Sequence, residues 1–144
     1  MATPTFIILC FATIVATSWA CTCVPTTNIE IYCNADFVVR VEVFGSITQG
    51  MLRIYEVDIT EILKSDRSSI PPGTEVNEQN VVTPIHSSLC GVMLQPGYTH
   101  LVAGRYKRHG NNYYMDTHAC INFMQPVTFI PDPSLCYRGG KSGR

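Results

Sequence analysis

Two stretches of the chain alternate apolar and polar residues, the period-2 pattern of half-buried β-strands. From 37 to 44, valines alternate with Arg40 and Glu42, and 51–63 repeats the pattern over a longer span. Glycines begin and end the stretch 45–50 between them. The pattern therefore predicts two long strands joined by a turn at 45–50 into an antiparallel hairpin.

Three shorter stretches, 76–83, 98–106 and 113–117, have the same strand-like composition. The turn residues Pro96-Gly97 and the segment 109–112 separate the last two from their neighbours. Five strands with little helix predict a mainly β domain, arranged as a small closed or nearly closed barrel.

One helix is predicted near the start of this region. Thr27 and Glu30 have the spacing of a capping box, and Ile29 and Tyr32 follow at helical spacing. The pattern indicates a short helix over about 28–35.

The first 20 residues differ from the rest. They contain no Asp, Glu, Lys or Arg, and their apolar run 6–15 is too short to cross a bilayer. Ser18 and Ala20 are small residues at the positions that a signal peptidase inspects. We predict a signal peptide over 1–20, secretion, and a mature chain that starts at Cys21. A buried N-terminal helix or strand is the alternative, but the run ends at a cysteine-rich boundary.

Composition limits what the mature chain can do. It has 124 of the 144 residues, enough for one domain, and the net charge of −1 argues against a nucleic-acid partner. No stretch after Ala20 approaches the length of about 18 apolar residues that a membrane span needs, so we expect no membrane insertion. No catalytic constellation is present, which argues against an enzyme.

Six cysteines remain once the predicted signal peptide and its Cys10 are removed. An even number in an exported chain favours disulfides over zinc binding or redox chemistry, and Cys21-x-Cys23 lacks the C-x2-C spacing of those sites. Many pairings are possible. The cysteines are Cys21, Cys23, Cys33, Cys90, Cys120 and Cys136.

A mature chain that begins at Cys21 has a free amine beside a carbonyl oxygen. If a disulfide also holds that residue, the pair becomes a rigid chelator for a metal that belongs to another protein. This arrangement favours an inhibitor over an enzyme.

Four sequence blocks resemble one known family. They are Cys-Thr-Cys-Val-Pro at 21–25, Cys-Asn-Ala-Asp-Phe-Val-Val-Arg at 33–40, Leu-Cys-Gly at 89–91 and Leu-Val-Ala-Gly at 101–104. Together with the cysteine order, they resemble the inhibitory domain of the tissue inhibitors of metalloproteinases across essentially the whole mature chain.

The resemblance implies a netrin-like module over 21–136, which is a five-stranded OB-fold-like barrel with short flanking helices and three disulfides, followed by a flexible tail at 137–144. It also implies which cysteines form pairs: Cys21–Cys90, Cys23–Cys120 and Cys33–Cys136.

The function that the resemblance implies is inhibition of zinc metalloproteinases of the matrix type, by a monomer in a 1:1 complex. Cys21 would chelate the zinc, which the protease supplies, so the chain needs no cofactor of its own. Thr22 would enter a primed-side pocket. The remaining contacts would come from Cys23, Val24, Pro25, Ser87, Ser88 and Leu89.

Three departures from the family pattern lead to further expectations. The chain ends soon after Cys136, as expected of a single-domain form. Prolines between Cys120 and Cys136 predict that the family's usual helix there is reduced or lost. The brief loop 45–50 reduces one possible contact surface.

Other readings remain open. The runner-up function is a non-inhibitory netrin-like module that binds a matrix or signalling protein. The basic cluster 105–109 suggests sulfated glycans, although a solvated turn explains it as well. The four histidines show no metal-ligand spacing and are interpreted as ordinary surface or strand residues; they are His86, His100, His109 and His118.

Overall fold

The computed structural model describes residues 21–123 and 130–138. The predicted signal peptide lies outside the described residues, and so does the predicted tail from 139 onward. Within these two ranges lie one α-helix and five strands: α1 (Asn28–Asn34), β1 (Phe37–Gln49), β2 (Leu52–Ser65), β3 (Val76–Pro84), β4 (Thr99–His109) and β5 (Asn112–Asp116). In the same described ranges, a 3₁₀ helix at Ser87–Leu89 lies between β3 and β4, and a second at Pro133–Arg138 follows β5.

The strands close into a barrel in the order β1-β2-β3-β5-β4, and β4 pairs with β1. Every pair is antiparallel except β3 and β5, which run parallel. The mainly β class and the closed five-stranded barrel are therefore confirmed. Among the described residues, no helix has the length and apolar character needed to span a membrane.

The β1–β2 hairpin is longer than the sequence predicts. We expected a turn over 45–50, but β1 continues to Gln49, which pairs with Leu52. Only Gly50 and Met51 form the turn. Ile47 pairs with Ile54 within the extension, where β-branched residues favour strand, and the register shift beside Gly45 lets the glycine stay within the ladder. The turn expectation was wrong because the glycine at 45 marks a bulge.

Alternation along β1 separates two apolar clusters. Phe37, Val39, Val41 and Val43 point into the barrel, which is also filled from the other strands. Val38 points outward and packs in a second cluster with Ile31 and Tyr32 of α1, Leu101, Ala103 and Phe123. Helix α1 therefore covers one outer face of the barrel.

The capping box of α1 is confirmed. The Thr27 hydroxyl accepts from the Glu30 backbone N–H at 3.3 Å, and a Glu30 carboxylate oxygen accepts from the Thr27 N–H at 2.8 Å. The helix ends at Asn34, one residue before the prediction. The Lys64 ammonium donates to the carbonyl oxygens of Tyr32 and Cys33, both at 2.9 Å, which satisfies carbonyls of the last turn.

The Cys120–Cys136 region is described only in part, since 124–129 lie outside the described residues. The part near its end forms the 3₁₀ helix Pro133–Arg138, which the Cys33–Cys136 disulfide joins to α1. The expected loss of a helix in this region stays a prediction for the residues that are not described.

Candidate functional site

The segment from Cys21 to Thr27 has no regular secondary structure and lies on the surface. Cys21 is half-buried, whereas Thr22, Cys23, Val24 and Pro25 are exposed. Val24 leaves 82% of its surface accessible, the largest exposed fraction among the large apolar residues in the described ranges.

Two disulfides fasten this segment to the barrel. Cys21 is bonded to Cys90 and Cys23 to Cys120, and the Cα atoms are 5.1 Å apart in both pairs. Together with Cys33–Cys136, these are the pairs that the resemblance implies. Disulfides therefore fix both ends of the tripeptide 21–23, so the backbone that carries Thr22 is restrained.

The segment's partner is the loop that contains the 3₁₀ helix Ser87–Leu89. All three of its residues are exposed. The helix ends at Cys90, whose φ of 64° is left-handed and whose N–H donates to the Ser87 carbonyl at 3.0 Å. A left-handed residue other than glycine is uncommon, and here the disulfide to Cys21 accompanies it.

Gly91 allows this loop to fold tightly. A Cβ atom at this position would lie 2.1 Å from the backbone oxygen of Pro84 and 2.9 Å from that of His86. The Gly91 N–H donates to the His86 carbonyl at 3.0 Å. Only a residue without a side chain permits so close an approach of the two backbones.

The base of the site is the turn before Cys120. The Ala119 N–H donates to the Cys90 carbonyl at 2.8 Å, so the two cysteines that hold the N-terminal segment belong to neighbouring backbones. We call the exposed surface formed by Cys21–Pro25 and Ser87–Leu89 the ridge. The structure thus brings all eight sequence-predicted site residues to one place, although their roles in binding stay predictions.

Four sulfur atoms lie together beneath the ridge. The Sγ atoms of Cys21, Cys23, Cys90 and Cys120 are all within 4.8 Å of one another. Such a cluster of free thiolates would suit a soft metal ion, but here each sulfur belongs to a disulfide and offers no thiolate. The preference for disulfides over zinc agrees with this pairing.

A cleft of about 370 Å³ lies behind the ridge, between its loop and strands β4 and β5. The buried Asp116 carboxylate in its wall pairs with Lys107 at 2.8 Å and contacts His109 Nε2 at 3.0 Å. The predicted basic cluster 105–109 is therefore partly neutralised within the fold. Sequence reasoning missed this arrangement, since Asp116 and Lys107 meet only through the β4–β5 pairing.

His118 lies at the same cleft, two residues before Cys120. Its Nδ1 atom is buried without a hydrogen-bond partner in the described part of the chain. Burial lowers the pKa of this imidazole, and the nearby positive charge of Lys107 lowers the pKa further. The neutral ring is therefore the form that the fold favours.

Comparison with known proteins identifies the family. The family model "Tissue inhibitor of metalloproteinase" matches residues 19–130. A relative, metalloproteinase inhibitor 3 of Gallus gallus, is 32% identical over 89 residues, which cover 60% of this chain and 40% of that protein. The chain thus matches less than half the length of this relative. Because the family model covers most of the chain, the protein belongs to the family of tissue inhibitors of metalloproteinase.

Proposed function

We propose that this protein is a secreted inhibitor of zinc metalloproteinases, which blocks the protease by chelating its catalytic zinc through Cys21. Family membership supports inhibition. The observation that carries the mechanism is the position of Cys21, which a disulfide to Cys90 holds on the ridge beside Ser87–Leu89.

The chelating atoms would be the backbone amine and carbonyl oxygen of Cys21, once residues 1–20 have been removed. Catalytic zinc in proteases keeps one position open for the water that attacks the peptide. A ligand at that position displaces the nucleophile. An α-amine has a pKa of about 7.7–8.0, so its deprotonation costs little near neutral pH, and binding to zinc favours it further.

The next residues would occupy the substrate cleft. Thr22 would enter the primed-side pocket with its small hydroxyl side chain, and Cys23, Val24 and Pro25 would run along the cleft without presenting a scissile bond. The exposed Ser87, Ser88 and Leu89 would add a second contact segment.

Preorganisation explains how a chain terminus can bind tightly. Ordering a free backbone costs roughly 1–2 kcal/mol per residue. The disulfides at Cys21 and Cys23 impose that order before the protease arrives, so the cost does not reduce the binding free energy.

We propose a matrix-type metalloproteinase bound 1:1, with the zinc supplied by the protease. Secretion follows from the predicted signal peptide, and it is also the condition under which three disulfides persist.

The test compares the mature protein with a form that carries one extra Ala before Cys21. Both are titrated against a collagenase-type or gelatinase-type enzyme. The extension removes the terminal amine from Cys21 and places atoms where the zinc ligands lie, so we expect most inhibition to be lost. Circular dichroism and the thermal midpoint are expected to stay unchanged, because the ridge is exposed.

Equal inhibition by the two forms would contradict chelation. If neither form inhibits, the runner-up reading, a netrin-like module that binds without inhibiting, is favoured. Intact mass provides an independent check on processing: the secreted protein is expected to lack Met1–Ala20 and to contain three disulfides.

A further inference from the structure

The two disulfides beneath the ridge are in contact with each other. Cys120 Sγ lies 3.6 Å from Cys90 Sγ and 3.8 Å from Cys21 Sγ. Cys21 Sγ also lies 3.9 Å from Cys23 Sγ. Each of these distances joins sulfurs that are not bonded to each other. A thiolate released from either disulfide would therefore already be in contact with a sulfur of the other disulfide.

We propose that these two disulfides form one exchange circuit, through which a small external thiol such as glutathione converts Cys21–Cys90 and Cys23–Cys120 into Cys21–Cys23 and Cys90–Cys120. The conversion detaches the N-terminal segment from the barrel. Its effect on inhibition rests on the function proposed above, whereas the exchange itself does not.

The circuit begins at the Cys23–Cys120 disulfide, since Cys23 lies in the exposed N-terminal segment between Thr22 and Val24. The external thiolate attacks Cys23 Sγ, forms a mixed disulfide and expels the Cys120 thiolate. The Cys120 thiolate then attacks Cys90 Sγ at 3.6 Å, forms Cys90–Cys120 and expels the Cys21 thiolate.

The last step closes the cycle. The Cys21 thiolate attacks Cys23 Sγ, 3.9 Å away, forms Cys21–Cys23 and expels the external thiol as its thiolate. Two disulfides are present before and after, no sulfur changes its net oxidation state, and the thiol is regenerated. The product has the same mass as the starting protein, and both of its new bonds join sulfurs that are already in contact.

The product keeps the barrel and detaches only the N-terminal part of the ridge. The Cys90–Cys120 bond joins two backbones that the Ala119 N–H to Cys90 carbonyl hydrogen bond already holds together. Cys33–Cys136 still fastens α1. The segment from Cys21 to Thr27, in contrast, loses both covalent links to the barrel, so its preorganisation is lost.

The experiment treats the secreted protein, without air, with reduced glutathione at roughly one tenth of the protein concentration and mildly alkaline pH. After acid quenching, digestion without reduction and mass spectrometry identify the paired peptides. We expect the molar amount of protein with Cys21–Cys23 and Cys90–Cys120 to exceed the molar amount of glutathione added. Inhibition is expected to fall at least about tenfold in the converted fraction.

The third disulfide provides a control in the same digest. Cys33–Cys136 is expected to keep its pair, because its sulfurs are not part of the four-sulfur cluster. If it exchanges as fast as the others, the reaction reflects unfolding and the circuit is overturned. Persistence of the native pairs, or mixed disulfides without the isomer, also overturns it.

A variant isolates the contact between the two bonds. Cys23→Ser combined with Cys120→Ser removes one disulfide, so Cys21–Cys90 has no neighbour to exchange with and is expected to resist the same treatment. Peptide mapping needs no protease, so it tests the circuit even if the proposed function fails. An isomer that inhibits as well as the native form would support the exchange and contradict the proposed role of the N-terminal segment.

Discussion

The interior of the barrel and the ridge on its surface are held in different ways. Valines and aromatic residues from the strands fill the interior, where Phe37, Val41 and Met115 are fully buried. On the ridge, Val24 and Leu89 are exposed, and two disulfides fix the backbone. Burial stabilises the barrel in proportion to its apolar area, whereas the covalent bonds fix a surface that leaves its apolar atoms in water.

The difference explains how one small domain can combine a stable fold with the exposed surface that we propose binds the protease. A surface that must contact a partner cannot bury its own contact residues. Disulfides supply order without burial, so the ridge stays both rigid and accessible. Changes in the barrel are therefore expected to alter stability first, and changes in the ridge to alter binding first.

The largest expected effect comes from Gly104→Ala in the barrel. A Cβ atom there would lie 2.2 Å from the Asp116 backbone oxygen and 2.6 Å from the Phe37 ring, so backbone and core must both shift. Overpacking typically costs about 1–3 kcal/mol, and we expect a loss near the upper end. Chemical denaturation measures it. Gly45→Ala is the control, since nothing lies within 4 Å of its Cβ; equal stability of the two variants would contradict the packing argument.

Thr22→Gly tests the ridge at the residue predicted to enter the protease pocket. Losing a few methyl-sized groups is worth about 1–3 kcal/mol, so inhibition constants are expected to rise roughly 10- to 200-fold. Thr22→Ser, which keeps the hydroxyl, separates the contribution of the methyl group. Thermal midpoints recorded in parallel are expected to stay near the wild-type value. Inhibition constants within twofold of wild type across a protease panel would place Thr22 outside the pocket.

Gly91→Ala is expected to weaken inhibition by about tenfold, equivalent to about 1.4 kcal/mol. The new Cβ would meet the Pro84 backbone oxygen at 2.1 Å, which forces the loop of Ser87–Leu89 out of place. Titration against the same proteases provides the measurement, and Gly45→Ala again serves as the control. Unchanged inhibition would mean that this loop does not contact the protease.

The smallest effect concerns pH. Burial lowers the pKa of His118 in the folded protein, whereas an unfolded histidine titrates near about 6.5. The unfolded chain therefore binds the proton first as pH falls. The contribution of the neutral His118 side chain to the free energy of unfolding is fully present above about pH 6.5. It is lost as pH falls through the lowered pKa of the folded state. Thermal midpoints between about pH 7.5 and 5 are expected to fall less in His118→Gln than in wild type.

His86→Gln is the matched control for this experiment, because His86 is exposed on the loop beside the ridge. It is expected to keep the wild-type pH dependence. If His118→Gln and wild type lose stability in parallel, His118 is not the titrating group.

Sequence periodicity determined most of the barrel. Alternation along 37–44 and 51–63 identified the two long strands, and Thr27 with Glu30 identified the start of α1, because these signals depend on neighbouring residues only. The same local reasoning misjudged 45–50, where two glycines suggested one long turn. Only the cross-strand pairing of Ile47 with Ile54 extends the strand through Gly45.

The candidate site likewise combines features that the sequence shows with features that only the folded structure creates. The sequence by itself placed Cys21 after a signal-like segment and supplied an even number of cysteines, and resemblance to a family suggested their pairing. Only the tertiary structure brought four sulfurs within 4.8 Å, set Gly91 against Pro84 and joined Lys107 to Asp116. The sulfurs come from parts of the chain far apart in sequence, Lys107 and Asp116 lie on paired strands, and Gly91 lies where the loop after β3 turns back on Pro84. These contacts therefore depend on the folded backbone and not on any local pattern of residues.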